Sequence, residues 1–448
     1  MFGRATKLVR SLAGAVIAAA SLWLSASALA QPALPINDRD AHMGVATCAG
    51  STCHGAVAAM PGIGILQNEF VTWQRRDKHA EAYKVLLNER SKRIARNMGL
   101  ENAHTAPVCL DCHADNVAQN RRHSTFQVSD GVSCEACHGG AGRWIGTHIT
   151  AGATHANNIQ NGMYPTDDPV ARARLCISCH FGDQTRLVTH RIMGAGHPRM
   201  SFELDTFTAL QPAHFEVDSD YRARKRSYSG VQTWAIGQAI ALDSMLAVAT
   251  DPQKSRDGIF PELVLFDCHS CHSPMSQLNW APRASTGLGP GIPKFNDSNS
   301  LMLGIIAARV DPALGTQFRE RMLALHRATV QSHDAMQNEA KALRPVLQQL
   351  IQKFAGHNFG AEDMIALVEG VLRDGAAGNY VDYAGAEQAT MALGTILNSM
   401  RQTGAVDQAK FTAMNRALDK VFSAVDNDEK YAPDTFTAAL RDFQAAAR

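Results

Sequence analysis

Ten cysteines in this chain of 448 residues fall into five close pairs, and a histidine follows the second cysteine of every pair. The pairs are Cys48 with Cys53 before His54, Cys109 with Cys112 before His113, Cys134 with Cys137 before His138, Cys176 with Cys179 before His180, and Cys268 with Cys271 before His272. No cysteine is left over. Histidine fills 18 of the 448 positions, so five such placements by chance have a probability on the order of 10⁻⁷. The spacing has a chemical reason: two thiols a turn apart can each add to one vinyl group of a haem, and the next residue then offers imidazole to the iron. The sequence therefore predicts five covalent haems c, held by these ten cysteines, with His54, His113, His138, His180 and His272 as proximal ligands. Cys48 and Cys53 have four residues between them instead of two, a wider loop that still permits both thioethers. Zinc ribbons need two cysteine pairs per metal and no histidine after each, and a redox-active vicinal pair would come once.

Thirteen histidines remain, and nine of them lie from residue 79 to residue 269, among the motifs. Bis-His coordination is the economical reading: two neutral imidazoles give a low-spin iron that changes oxidation state with little rearrangement. The candidate distal ligands are His79, His148, His190, His197 and His214. His79 belongs to a helical stretch from Trp73 to Tyr83, on which His79, Tyr83 and Leu86 share a face. His148 follows a glycine-rich loop able to fold back over a neighbouring macrocycle. Seven residues separate His190 from His197, too far along a helix to share one iron, so the two serve different haems. His42, His104 and His155 are weaker candidates, and Met163, Met193 and Met200 weaker still, because Met is more often core filler than a ligand.

The first thirty residues carry Arg4, Lys7 and Arg10, an apolar run from Leu12 to Leu24, and Ala28-Leu29-Ala30, which reads as a secretory leader cleaved after Ala30. The run is too short to span a bilayer, and no later segment is long and apolar enough. The expected product is exported to the periplasm and does not span the membrane. Cations and anions balance at 43 against 42, which argues against a nucleic-acid partner; removal of the leader leaves a net charge of −2.

Four motifs crowd residues 48 to 180, so the core there is expected to be porphyrin walled by loops and short helices, followed by a helix from Ser229 to Ala249. Residues 281–300 turn rich in Pro, Gly, Ser and Asn. The expected fold is mainly α: leader 1–30, a pentahaem domain 31–285 with little regular structure, a linker 286–300, and an α-helical bundle 301–448 of four to six helices. One of these helices is expected from about Thr316 to Lys341, with His326 and His333 on one face as packing residues. No glycine-rich phosphate loop and no hydrolase triad is present, so no catalytic residue is assigned.

The chain resembles exported multihaem cytochromes c related to the tetrahaem cytochrome that accepts electrons from hydroxylamine oxidoreductase. The resemblance rests on Trp73 to Tyr83, Asp130-Gly-Val-Ser-Cys134-Glu-Ala-Cys137-His138-Gly-Gly, Trp144-Ile-Gly-Thr-His148, His190 to Arg199, and Phe266-Asp-Cys268-His-Ser-Cys271-His272. It covers roughly residues 40 to 275 and implies His79 and His148 as distal ligands. The chain departs from that group in its wide first motif and in having five motifs for four. It also has no Cys-x-x-Cys-Lys site of the kind used by pentahaem nitrite reductases.

The leading expectation is an electron carrier between redox proteins, such as a quinol dehydrogenase, another cytochrome or a terminal reductase. The alternative is a reductase or oxidase of a small nitrogen or sulfur oxyanion. It requires one iron without a protein sixth ligand and nearby cations, for which Arg121, Arg122, His123 and Arg143 stand close in sequence. Arginines pairing with haem propionates are the commoner arrangement.

Overall fold

A 21-residue helix, Gly230–Thr250, is apolar all round, and seventeen of its residues are buried, including Trp234, Ile236, Ile240, Leu242 and Leu246. A helix of that composition must be surrounded. Ser229 caps it by accepting from the Gln232 amide, and Asp251 follows its last turn. Packed on it are Pro169–His180, which carries the fourth motif, Leu204–Leu210, and three later helices, Ser298–Val310, His333–Gly356 and Tyr383–Gln402. One hydrophobic core thus runs from Ala173 on the fourth-motif helix to Phe443 near the C-terminus.

The computed structural model describes residues 31–60, 65–272, 283–288 and 292–448, and the expected leader lies outside them. Leu34 to Arg448 forms one compact unit. Among the described residues there are nineteen α-helices and one short antiparallel pairing of Arg256–Asp257 with Phe260–Pro261, so the fold is mainly α as expected. No helix among them is long and apolar enough to cross a membrane.

Around the first four motifs the helices are short, as the crowding of motifs implies. From Ser298 onward they lengthen into seven: Ser298–Val310, Pro312–Thr329, His333–Gly356, Ala361–Ala376, Tyr383–Gln402, Gln408–Ser423 and Pro433–Ala447. Two sequence expectations are corrected. The helix placed over Trp73 to Tyr83 breaks at Asp77, whose carboxylate accepts from the His79 amide and starts a 3-10 turn, Lys78–Glu81. The helix placed over Thr316 to Lys341 is two helices. Ser332 caps the second by accepting from the Ala335 amide, so His326 and His333 share no face.

The described part of the segment 286–300 is largely buried, with Thr286, Leu288, Phe295 and Asp297 to Ser300 inside. Proline and glycine mark irregular backbone, but they do not mark exposure. Arg283 and Lys294 lie among Asp267, Asp297 and Asp382, with His326 3.4 Å from Asp297. Asp267 immediately precedes Cys268, so this buried ion network ties the fifth motif to the bundle.

Candidate functional site

Each motif sits on a turn that presents both thiols and the imidazole together. Cys109, Cys112 and His113 lie on the helix Pro107–His113, Cys134 to His138 form a helix of their own, and Cys176 to His180 end Pro169–His180. On a helix, residues three and four apart share a face, which is why this spacing suits one ligand. The fifth motif is a 3-10 turn, Cys268–Ser270, closed by the His272 amide on the Cys268 carbonyl at 2.8 Å. In the wide first motif the insertion folds into a tight turn, with the Cys53 and Gly55 amides both donating to the Gly50 carbonyl at 2.9 Å. That turn brings His54 back over Cys48.

Four of the five motif histidines face a different second histidine. His54 meets His148 at 6.3 Å between ring centroids, His180 meets His79 at 5.8 Å, His138 meets His214 at 6.2 Å, and His272 meets His190 at 6.2 Å. His197 lies close enough to His113 to disfavour protonation of His113, beside the burial that chiefly lowers it. A metal held between two imidazoles, with metal–nitrogen bonds of about 2 Å and ring centres about 1.1 Å behind each nitrogen, separates the centroids by about 6.2 Å. The four observed separations leave room for one metal ion in each of those pairs.

The hydrogen bonds of these rings point the same way. His54 donates from Nδ1 to Glu69 at 3.0 Å and His79 to Asp77 at 2.8 Å, while His113, His148 and His197 donate from Nδ1 to the carbonyls of Ala82, Ile145 and Pro198 at 3.0, 2.7 and 2.8 Å. That bond fixes the tautomer and leaves the Nε2 lone pair for a metal. By contrast His155, His333 and His357 engage Nε2 itself, with Asp167, Ser255 and Asp363. Burial lowers His138 to about 3 and His180 to about 4, so both are neutral donors, as metal ligation requires.

Lining and charge suit a macrocycle. Beside Cys268 opens a small cavity of about 60 Å³ lined by Leu187, Val188, Met193, Met245 and Leu265, between the fifth motif and the His190 helix. Its lining is mostly apolar, as the walls of a cofactor site are. Buried donors without partners flank the motifs: Nε1 of Trp144 beside His148, Nε of Arg172 and Arg174 ahead of Cys176, and Nε of Arg186 near Cys179. Such cationic and N–H groups fit propionate carboxylates. Sequence reasoning missed Glu69, Asp77 and these arginines. Asp77, two residues before a candidate ligand, was open to recognition; Glu69 and the arginines acquire their roles only by folding.

The motifs also neighbour one another in a definite order. The Cys48 thiol neighbours that of Cys134, Cys137 lies within electrostatic reach of Cys176, and the Cys179 thiol neighbours that of Cys112. His197 at the second motif and His190 at the fifth are joined by the short helix His190–Gly194. The succession is first, third, fourth, second, fifth.

Residues proposed for oxyanion chemistry are engaged elsewhere. Arg121 pairs with Asp38, Arg122 donates to the Val117 carbonyl and stacks on Phe126, His123 bonds Thr125, and Arg143 pairs with Asp40. His42 is fully buried against Asp115 at 2.8 Å; burial would lower its pKa, but Asp115 and Asp38 override this and hold it at about 10. His42 is thus a structural cation.

No curated protein and no solved structure matches the chain. Residues 45–139, which hold the first three motifs and His79, match the family model described as cytochrome c554 and c-prime, and this likeness supports a c-type cytochrome with covalently bound haem and electron transfer as its role.

Proposed function

We propose that the chain is a periplasmic pentahaem cytochrome c that relays single electrons between redox proteins, with all five haems bis-His. When bound, each haem supplies a reversible one-electron change at its iron. The protein's residues do the rest. Ten cysteines fix the rings, and the facing imidazoles His79, His148, His190, His197 and His214 complete the ligand sets. Glu69 orients the motif ring of His54 and Asp77 the facing ring of His79, and the apolar walls around Cys268 exclude water. The observation that carries this reading is that four motif histidines each face a different second histidine, and His197 lies within electrostatic reach of the remaining one, His113. An oxyanion reductase would need a motif histidine without such a partner.

The experiment is an intact mass of the exported protein, a haemochrome assay, and oxidised spectra with and without cyanide or nitrite. Five haems, wholly low-spin and unmoved by either ligand, are expected. A high-spin fraction that binds nitrite and turns over would transfer the protein to the reductase class. A colourless protein of bare polypeptide mass would end the haem reading.

A further inference from the structure

Residues 75–96 carry eight Lys and Arg against three Asp and Glu, a net of +5, whereas the whole polypeptide without its leader nets −2. Arg143, Arg224 and Arg226, exposed elsewhere, each pair with a carboxylate. Within 75–96 only Lys84 and Lys92 do so, with Glu81 and Glu89. Arg75, Arg76, Lys78, Arg93 and Arg96 are exposed and form no ion pair among the described residues.

The helix Glu89–Met98 concentrates this charge. Its Ser91 and Ala95 are buried, and Ala95 joins Leu86, Ala103, Leu110 and Ala114 in the small apolar core beside the second motif. With 3.6 residues to the turn, the opposite face carries Glu89, Lys92, Arg93 and Arg96. Helix stability does not account for that set. Arg93 repels Arg90 and Arg96 three residues away, and Lys92 repels Arg96 four away, like-charge pairs that weaken a helix; of the four cations only Arg96 lies in the last turn, where the helix dipole favours it. Haem propionates at the second motif do not account for it either, because the cationic face lies opposite the side packed there.

The same helix is tied to the ligands. Arg90 donates from Nε and Nη2 to the Gly196 carbonyl at 3.1 and 2.9 Å, and Asn97 from Nδ2 to the Ala195 carbonyl at 3.0 Å. Both carbonyls lie between His190 and His197, the ligands assigned to the fifth and second motifs. A molecule seated on the outer face is separated from that segment by one helix diameter, about 10 Å.

We propose that this face docks an electron-transfer protein whose contact surface is acidic, and that single electrons cross there between the partner and the second and fifth haems. One redox centre is oxidised as the other is reduced, with no bond made or broken. The proposal rests on the electron-carrier reading above and adds where the carrier is met and by what charge. Clustered, unpaired cations attract clustered carboxylates and orient the encounter. An anionic bilayer is the other surface that such cations suit, but a helix lying in a membrane presents apolar residues beside its basic ones, and this face has none.

The test is stopped-flow reduction of the haem-loaded protein by an acidic probe, reduced plant-type ferredoxin, at low and high salt, with excess dithionite reporting the haem complement independently. One electron leaves the reduced cluster for each ferric haem reduced. The second-order rate is expected to fall by about tenfold or more as salt screens the attraction. Arg93→Glu with Arg96→Glu should lower the low-salt rate by about tenfold and flatten its salt dependence, and Arg93→Gln with Arg96→Gln should lower it less. Arg416→Glu with Arg441→Glu, at exposed positions of the C-terminal helices, changes the net charge equally and should leave the rate within about twofold. Equal slowing by both reversed pairs overturns the proposal, as does a rate indifferent to Arg93 and Arg96. Binding to phosphatidylglycerol vesicles that the Glu variant loses, with an unchanged ferredoxin rate, reassigns the face to a membrane and overturns it too. A five-haem protein that dithionite reduces, but whose ferredoxin rate ignores these arginines, loses this proposal alone; a protein without haem loses the carrier reading with it.

Discussion

The rings of His54 and His148 lie nearly parallel, with planes 11° apart, whereas His79 meets His180 at 87° and His138 meets His214 at 86°. Parallel imidazoles act through their π orbitals on the same iron d orbital and split it from its neighbour. Perpendicular imidazoles act on both equally and leave them nearly degenerate. The oxidised protein is therefore expected to show two classes of low-spin electron paramagnetic resonance signal. The first and fifth motifs, the latter with rings 32° apart, should give rhombic signals, and the third and fourth strongly anisotropic ones. His148→Ala should remove a rhombic signal and His79→Ala an anisotropic one. Loss of the same class in both variants would refute the ring geometry.

Asp77 accepts from both the backbone amide and Nδ1 of His79, at 3.0 and 2.8 Å, and also from Gln211 at 3.0 Å. A carboxylate behind an imidazole makes it a stronger donor to a ferric iron, and loss of such a partner typically costs 10–100-fold in metal affinity or activity, roughly. Asp77→Asn is expected to raise the reduction potential of one haem of the five while leaving it low-spin. Spectroelectrochemical titration checks this, and an unmoved set of potentials would show that Asp77 only caps the turn.

How much of this arrangement was open to a reader of the sequence differs from part to part. The motifs announce themselves because covalent attachment needs fixed local spacing, and the five distal candidates followed from where histidines cluster. Which one faces which motif was not legible. Those pairings join residues 94 apart for His54 and His148, and 76 apart for His138 and His214, so they depend on tertiary folding. Helix Gly230–Thr250 was readable from its apolar run and its Ser229 cap. Its place beneath the C-terminal helices was not, because an all-apolar helix says that it is surrounded without saying by what. The turn at Asp77 and the break before Ser332 were missed for one reason: a capping side chain overrode helical periodicity.

His42 supplies a pH dependence whose sign is fixed. Folding holds its pKa at about 10, above the usual 6.5, so the folded state grips the proton more tightly. The stabilisation is complete below about pH 6.5 and is lost as pH rises through about 10. His42→Gln is expected to cost about 3–5 kcal/mol at pH 6, because it leaves Asp115 and Glu135 buried without their cation. Denaturation midpoints of both proteins at pH 6 and pH 10 check this. The wild type should lose its advantage over the variant at the higher pH, and parallel profiles would exclude His42 as the group responsible.

The ion network at the fifth motif should be equally intolerant of losing one member. Asp297 is buried between Arg283 and Lys294 and bonds to both, and these two cations also reach Asp382. Asp297→Asn keeps the shape but leaves a buried cation short of a partner, at a cost of about 3–5 kcal/mol. Because Lys294 also lies 4.0 Å from Asp267, next to Cys268, the fifth haem should become easier to perturb. Chemical denaturation followed by haem absorbance is expected to show one of five haems changing ahead of the rest. Fully coincident transitions would mean that the network serves the bundle alone.

The wide first motif depends on Gly55. Its amide donates to the Gly50 carbonyl at 2.9 Å, and a methyl group in place of its hydrogen would collide with the backbone carbonyl of Ala49. That contact is backbone against backbone, so neither side can rotate away. Gly55→Ala should therefore open the turn that accommodates four residues between Cys48 and Cys53, and carry His54 away from His148. Gly50→Ala is the control. There the nearest atom to the new methyl is the Cys53 sulfur at 3.6 Å, an ordinary van der Waals contact. Intact mass is expected to show a population one haem short for Gly55→Ala and a full complement for Gly50→Ala. Equal haem content in the two variants would mean that attachment at the first motif does not depend on this turn.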